Sequence, residues 1–285
     1  MNDTQRDLAY AIPWRTSSVR MGAHKSYLSG GAGLFRDIVP LTTYPDPRRL
    51  AIRASLNDPF ERLLVRRAEQ LSAIDVAVLV DVSASMSFEG RINKIAIASD
   101  LAEALAVCTE RTGDTFALLP FDDKLRQDLV LWRTLSRAAH RGAIESLRRT
   151  IPHRAGSEGI AEAGAAIAGS RKLVFLISDF LWSEETARTA ADVLSFHDVV
   201  PVELRDSLEL EDLPRWGLLN LRDLETGRQR LIAMRPSLKA RWLELRREQR
   251  DRITRVLDAT SREMFSIRDD IDWMRLTAHL LYGAT

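Results

Sequence analysis

The chain predicts an α/β fold: a doubly wound, mostly parallel sheet flanked by helices. Three observations lead there. Apolar runs with the length of buried strands recur along the middle of the chain, stretches of helical periodicity lie between them, and an aspartate closes two of the runs. The buried strands are Ala73–Val80, Thr115–Pro120 and Arg171–Ser178. A fourth, Val199–Leu204, contains Pro201, which suits a strand start or an edge. Helices are expected over Ile92–Cys108, where Ile95, Leu101, Leu105 and Cys108 recur near the helical period, and over Ala138–Leu147, Ile160–Ala168 and Glu184–Phe196. Strands alternating with helices give a parallel sheet covered on both faces. Lys124–Trp132 follows a strand after only Phe121–Asp123, a link too short for a crossover, so it is expected to pair antiparallel.

Residues 1–72 read differently. They hold five of the ten prolines and the cluster Gly30, Gly31 and Gly33, and they predict a loop-rich N-terminal arm or small subdomain in which the glycines serve turns. The main domain is expected over 73–206, with a C-terminal extension over 207–285 packed on the same fold. That extension should contain a hairpin, Leu218–Leu224 and Gln229–Met234 around a Glu225-Thr226-Gly227 turn. A long helix over Ser237–Ala259 follows, with Leu238, Trp242, Leu245, Ile253 and Val256 on one face, then a strand at Met264–Arg268 and a closing helix at Trp273–Tyr282.

Composition narrows the function classes. With 285 residues, 45% of them apolar, and 41 basic against 40 acidic side chains, this is an ordinary globular chain with a formal charge of +1. It has neither the low hydrophobicity of a disordered protein nor a bulk charge that would draw nucleic acid or anionic lipid. A single cysteine, Cys108, excludes an intramolecular disulfide and any cysteine-based metal cluster. The polar N-terminus and the absence of an apolar run near the roughly 20 residues of a membrane helix predict a cytoplasmic protein with no membrane span.

The chemistry concentrates in Asp81-Val82-Ser83-Ala84-Ser85. An apolar strand runs into a carboxylate and two alternate hydroxyls, at the end of the sheet where ligands of open α/β folds bind. Such hard oxygen donors suit Mg²⁺ that retains several waters. Asp179 closes Leu173–Ser178 as Asp81 closes Ala73–Val80, so on neighbouring strands the two would converge. Ser157, in the loop Ala155-Gly156-Ser157-Glu158-Gly159, offers a third hydroxyl. The alternative is structural: Asp81, Ser83 and Ser85 cap a helix and close a turn.

Asp81, Ser83, Ser85, Ser157 and Asp179 together resemble the metal-ion-dependent adhesion site of von Willebrand factor A domains, and the element order over about 73–206 matches that fold. In the family an Asp-x-Ser-x-Ser motif, a loop threonine and a strand-end aspartate share one cation; here Ser157 stands where the threonine would. The resemblance implies a protein-binding module rather than an enzyme. Mg²⁺ would be held by the three serines and, directly or through water, by the two aspartates, leaving a position for an Asp or Glu of a partner. Asp46-Pro47-Arg48-Arg49-Leu50, Arg53-Ala54-Ser55 and Asp223-Leu224-Glu225-Thr226-Gly227 are similar to a bacterial subfamily encoded beside MoxR-type AAA+ ATPases. Many of its members carry an aspartate–tryptophan pair where this chain has Ala51 and Ile52. Soluble members of methanol dehydrogenase clusters share Val39-Pro40-Leu41 and Tyr44–Arg49, which implies work with a MoxR-type ATPase in maturation or metal loading of that client enzyme.

The competing class is a metal-dependent hydrolase or phosphatase with Asp81 as nucleophile, but Ser83 occupies the two-on position where a second acid is expected. No phosphate loop, His-Glu-x-x-His or Gly-x-Ser-x-Gly pattern is present, and the five histidines are scattered. Arg235–Arg255 carries eight basic and three acidic residues, either a solvated helix face or a docking surface for an acidic partner. Trp182, just past Asp179, either rims the site or packs beneath it.

Overall fold

The computed structural model describes residues 8–88, 90–208, 216–222 and 229–283. Contacts divide the chain into a unit of Ile12–Ile74 and a unit formed by the remaining residues.

The smaller unit contains β1 (Met21–Pro40), a 3₁₀ turn at Pro47–Arg49, α1 (Ile52–Leu56) and β2 (Leu64–Ser72). The segment expected to be loop-rich is thus largely an antiparallel two-stranded ribbon. Ser29 and Leu34 both face Glu69, so the glycine cluster is accommodated as an irregularity inside β1 instead of closing a turn. An Arg67–Asp37 ion pair crosses the ribbon, Nε to Oδ1 at 2.8 Å. Ser55 Oγ accepts from the Leu64 amide at 2.9 Å and fixes α1 against β2.

The larger unit runs β3 (Asp75–Asp81), α2 (Lys94–Thr112), β4 (Thr115–Phe121), β5 (Leu131–Thr134), α3 (Arg137–Arg148), α4 (Ile160–Ala166), β6 (Leu173–Ser178), α5 (Glu184–Leu194) and β7 (Asp198–Arg205). Then come β8 (Gly217–Arg222), β9 (Gln229–Met234), α6 (Pro236–Asp258), β10 (Phe265–Arg268) and α7 (Trp273–Tyr282). Six strands form one sheet in the order β10-β7-β6-β3-β4-β5, parallel except for β5, which pairs antiparallel with β4 as expected but begins only at Leu131 instead of Lys124, after a link over 122–130 that is still shorter than a parallel crossover. The chain leaves β3 for β4 on one side and returns to β6 on the other. The topological switch point therefore lies between β3 and β6.

β3, β4 and β6 are buried at every position, as strands covered on both faces must be. Ala77, Leu79, Val174 and Leu176 pack on one face against Ile160 and Ala163 of α4, Ala187, Ala190 and Leu194 of α5, and Ile253 and Leu257 of α6. The alternate residues, including Val76, Val78 and Val80, point to the opposite face, which α2 and α3 cover. Side-chain alternation then carries the strand ends to opposite sides: Asp81 and Ser178 continue the α4–α5 face, Asp179 the α2 face.

Pro201 is not at a sheet edge. β7 lies between β6 and β10, but β10 begins its ladder at Val202, so Pro201 faces only one hydrogen-bonded neighbour. On α6 the apolar face is narrower than expected: Ile253 and Leu257 are buried whereas Leu245 is exposed. Arg250 turns inward and forks onto Glu203 with both bonds at 2.8 Å. β8 and β9 pair antiparallel, and the turn expected at 225–227 lies outside the described residues. Cys108 is buried in the core.

Candidate metal centre at the sheet switch point

The five residues singled out in the sequence lie together at the carboxyl ends of β3 and β6, and all are buried. Register explains it. Val80 pairs with Ile177, so Asp81 stands level with Ser178 and one step short of Asp179. Asp81 Oδ1 accepts from the Ser83 amide at 2.9 Å, closing a turn. Its Oδ2 accepts from Ser157 Oγ at 3.0 Å, Ser178 Oγ at 2.7 Å and Trp182 Nε1 at 2.7 Å. Ser83 Oγ and Ser85 Oγ are 3.2 Å apart, and Ser85 Oγ donates to Asp179 Oδ1 at 3.2 Å. The Ser83 amide on one side and the Ser83 and Ser85 hydroxyls on the other thus link the two carboxylates.

Three loops hold these side chains in place. The Val82 amide donates to Phe121 O at 2.8 Å and the Ala84 amide to Arg154 O at 2.7 Å, pinning the Asp-x-Ser-x-Ser loop to its neighbours. Ser157 is set by a close approach. The Gly159 amide donates to Asp122 O, and a Cβ at Gly159 would stand 2.4 Å from the Lys124 carbonyl carbon, so only glycine lets the two loops touch. After β6 the backbone turns through Phe180 at φ 50°, a left-handed conformation uncommon for a non-glycine residue. The Phe180 amide bonds Ser178 Oγ at 2.9 Å, and the ring meets Trp182 edge-on at 4.9 Å. Trp182 is accordingly buried, supporting Asp81 from below instead of rimming the site.

Two residues join the cluster that the sequence reading did not single out. Ser178 supplies a fourth hydroxyl. Lys94, the first residue of α2, is fully buried, with Nζ 2.8 Å from Asp179 Oδ2 and 3.3 Å from Ser85 O. A signal for it exists: a lysine in the first turn opposes the helix dipole and calls for a local reason. Burial and the charge of Asp179 hold the Asp81 carboxyl above the usual carboxylate range, against the opposing bonds from Ser83 and Trp182.

Among the described residues no group of three or more His, Cys, Asp or Glu gathers that could hold a metal ion of any kind, so a cation here would depend on the hydroxyls beside the two carboxylates. The donors here are two carboxylates and up to four hydroxyls. That set fits a hard divalent cation such as Mg²⁺, which accepts few protein ligands and keeps waters. Nothing in it suits a thiolate- or imidazole-seeking ion.

Sheet and site together define the class: a doubly wound α/β domain with a polar cluster at the carboxyl ends of its central strands. More narrowly, the chain belongs to the family described as Protein of unknown function DUF58, whose model matches residues 59–252. It is 39% identical over 87 residues to an uncharacterized protein in the moxR 3′ region of Paracoccus denitrificans, covering 30% of this chain and 83% of that one. An uncharacterized protein of Mycobacterium tuberculosis is 25% identical over 241 residues, 80% of this chain and 72% of the relative. Among solved structures, a von Willebrand factor type A protein from Catenulispora acidiphila superposes with a TM-score of 0.42 at 14% identity, over 75% of this chain and 42% of that one. No described helix is long and apolar enough to cross a membrane.

Proposed function

We propose that this chain is a metal-dependent protein-binding module that acts with a MoxR-type AAA+ ATPase in the maturation or metal loading of a client enzyme. The observation that carries this reading is the convergence of Asp81, Ser83, Ser85, Ser157 and Asp179 on one buried spot. The relative in the moxR 3′ region supports the choice of ATPase. Ser83, Ser85 and Ser157 would hold Mg²⁺ through hydroxyls, and Asp81 and Asp179 directly or through water. When bound, the ion supplies a positive charge with a coordination position open to an Asp or Glu of the client. The likeness of Tyr44–Arg49 to the MxaS proteins of methanol oxidation clusters makes methanol dehydrogenase the proposed client, and the cytoplasm the proposed place of action.

An Asp81 nucleophile is the competing chemistry. Oδ2 already accepts three hydrogen bonds, from Ser157, Ser178 and Trp182, which leaves it little freedom to attack a substrate. The test is Asp81→Asn, which keeps the shape and one acceptor. It is expected to lose Mg²⁺ binding by calorimetry and to lose Mg²⁺-dependent capture of the MoxR-type ATPase or client. Capture that survives both the substitution and EDTA overturns the reading, and turnover of a generic phosphate ester abolished by Asp81→Asn establishes the enzyme instead.

A further inference from the structure

We propose that the exposed face of α1, with the arginines around it, docks an acidic and apolar segment of the MoxR-type ATPase, which rests on the reading of that ATPase as a partner and adds the surface that receives it. The proposed function needs two partners, a client and an ATPase. The metal cluster with its open coordination position serves the client, so the ATPase requires a surface of its own.

α1 turns its large apolar side chains outward. Ala51 is buried, and its amide donates to Leu64 O at 2.8 Å. One turn on, Ser55 Oγ donates to Ala51 O at 3.1 Å and accepts from the Leu64 amide at 2.9 Å. Backbone and small side chains thus hold the helix to β2. Ile52 and Leu56, one turn apart on the same face, take no part and are 64% and 79% exposed. A helix that serves only its own domain turns such a face inward. The return from α1 to β2 adds Phe60, 73% exposed, and Leu63. Single exposed apolar residues need no explanation, but several gathered in one short segment mark an interaction surface.

Charge specifies the occupant. Between residues 46 and 66 five arginines stand against three acids, Asp46, Asp58 and Glu61. Two of the acids are taken within the segment: Arg49 Nε meets Asp46 Oδ2 at 3.1 Å, and Arg62 forks onto Asp58 at 2.9 and 3.0 Å while its guanidinium lies 4.7 Å from the Phe60 ring centre. Arg48, Arg53 and Arg66 are exposed and meet no acidic side chain among the described residues, which leaves three guanidinium groups against Glu61. Guanidinium groups beside apolar side chains complement a polypeptide segment that carries carboxylates beside apolar side chains. A second copy of this chain would set arginine against arginine across a two-fold interface. An anionic lipid surface also fits less well, since α1 has five residues where many interfacial helices have roughly 20–30.

The test measures binding of the full chain to the purified ATPase in saturating Mg²⁺, with the Mg²⁺ affinity of the chain itself read separately by calorimetry. Ile52→Ser with Leu56→Ser is expected to weaken ATPase binding about 10-fold or more. Arg48→Glu with Arg53→Glu is expected to weaken it at least as far at low salt, with the difference from the parent shrinking as salt rises. Because all four side chains are exposed, both pairs are expected to keep the parent's Mg²⁺ affinity and melting temperature. ATPase binding unchanged by both pairs overturns the proposal and leaves the ATPase reading standing, whereas a parent that binds no ATPase overturns the two together. A loss that travels with a changed Mg²⁺ affinity or a lowered melting temperature also overturns it, since the effect then passes through the fold. Cosedimentation with phosphatidylglycerol vesicles that needs Ile52 and Leu56, or a parent dimer dissociated by Ile52→Ser with Leu56→Ser, gives the face to a lipid surface or to a second copy and overturns it likewise.

Discussion

Asp81 keeps no contact with water and receives four hydrogen bonds, three of them on one oxygen. Each donor is itself placed by something else: Ser157 by the glycine contact at Lys124, Ser178 by the strand, Trp182 by its packing on Phe180 and Phe121. Trp182→Phe keeps most of the ring and deletes the Nε1–H donor. It is expected to cost about 1–3 kcal/mol in denaturant unfolding, with the secondary structure unchanged. The strand-end aspartates and Ser83, Ser85 and Ser157 were legible in the sequence because fully apolar strands end where ligands of open sheets bind, whereas Ser178 was hidden at the end of the apolar run itself. Lys94 was not, because its partner Asp179 lies 85 residues further on, and only the fold brings the two together. Trp182 carried two readings that sequence alone could not separate, since a tryptophan has both an apolar ring and a donor to place.

At the scale of elements, the buried strands and their crossover helices were readable from apolar runs and periodicity, because burial on both faces leaves an unmistakable composition. The N-terminal ribbon was not, since β1 is irregular and interrupted by glycines, and its pairing depends on register shifts that no local pattern announces. The junction of α5 and β7 offers a test of its own. His197 lies there with its Nδ1 buried and without a hydrogen-bond partner, and burial, with Lys172 and Arg171 nearby, lowers its pKa to about 4. Between that value and the ordinary histidine range near 6.5, the unfolded chain binds a proton that the folded chain refuses. The resulting stability is fully present above about pH 6.5 and is lost as pH falls toward 4. His197→Gln is expected to remove this component. The difference in unfolding free energy between parent and variant should change by about 1–2 kcal/mol across that window, less than the full shift implies because solvent screens the neighbouring cations.

For the molecule as a whole, the larger unit is closed by one buried ion pair. Arg262 forks onto Asp198 at the start of β7, at 2.8 and 2.6 Å, and also donates to Ala11 O and Leu280 O. One guanidinium thereby ties a sheet strand to an N-terminal and a C-terminal segment of the same unit. Arg262→Met leaves Asp198 charged and buried, and is expected to cost about 3–5 kcal/mol. Arg262→Met with Asp198→Asn should recover part of that loss, as thermal melts of the two variants will show.

The alternation of β6 has a consequence for how such a chain can change over time. Ser178 and Asp179 are neighbours in the chain but serve opposite faces, one completing the shell of Asp81 and the other meeting Lys94. A deletion or insertion of a single residue in β6 or β3 would leave composition, net charge and strand propensity almost untouched, yet it would set carboxylate against carboxylate on one face and hydroxyl against ammonium on the other. Length between the strand starts and these termini is therefore under tighter constraint than the identity of the apolar residues in between. Drift should appear there as exchanges among Val, Ile and Leu, and almost never as a gap.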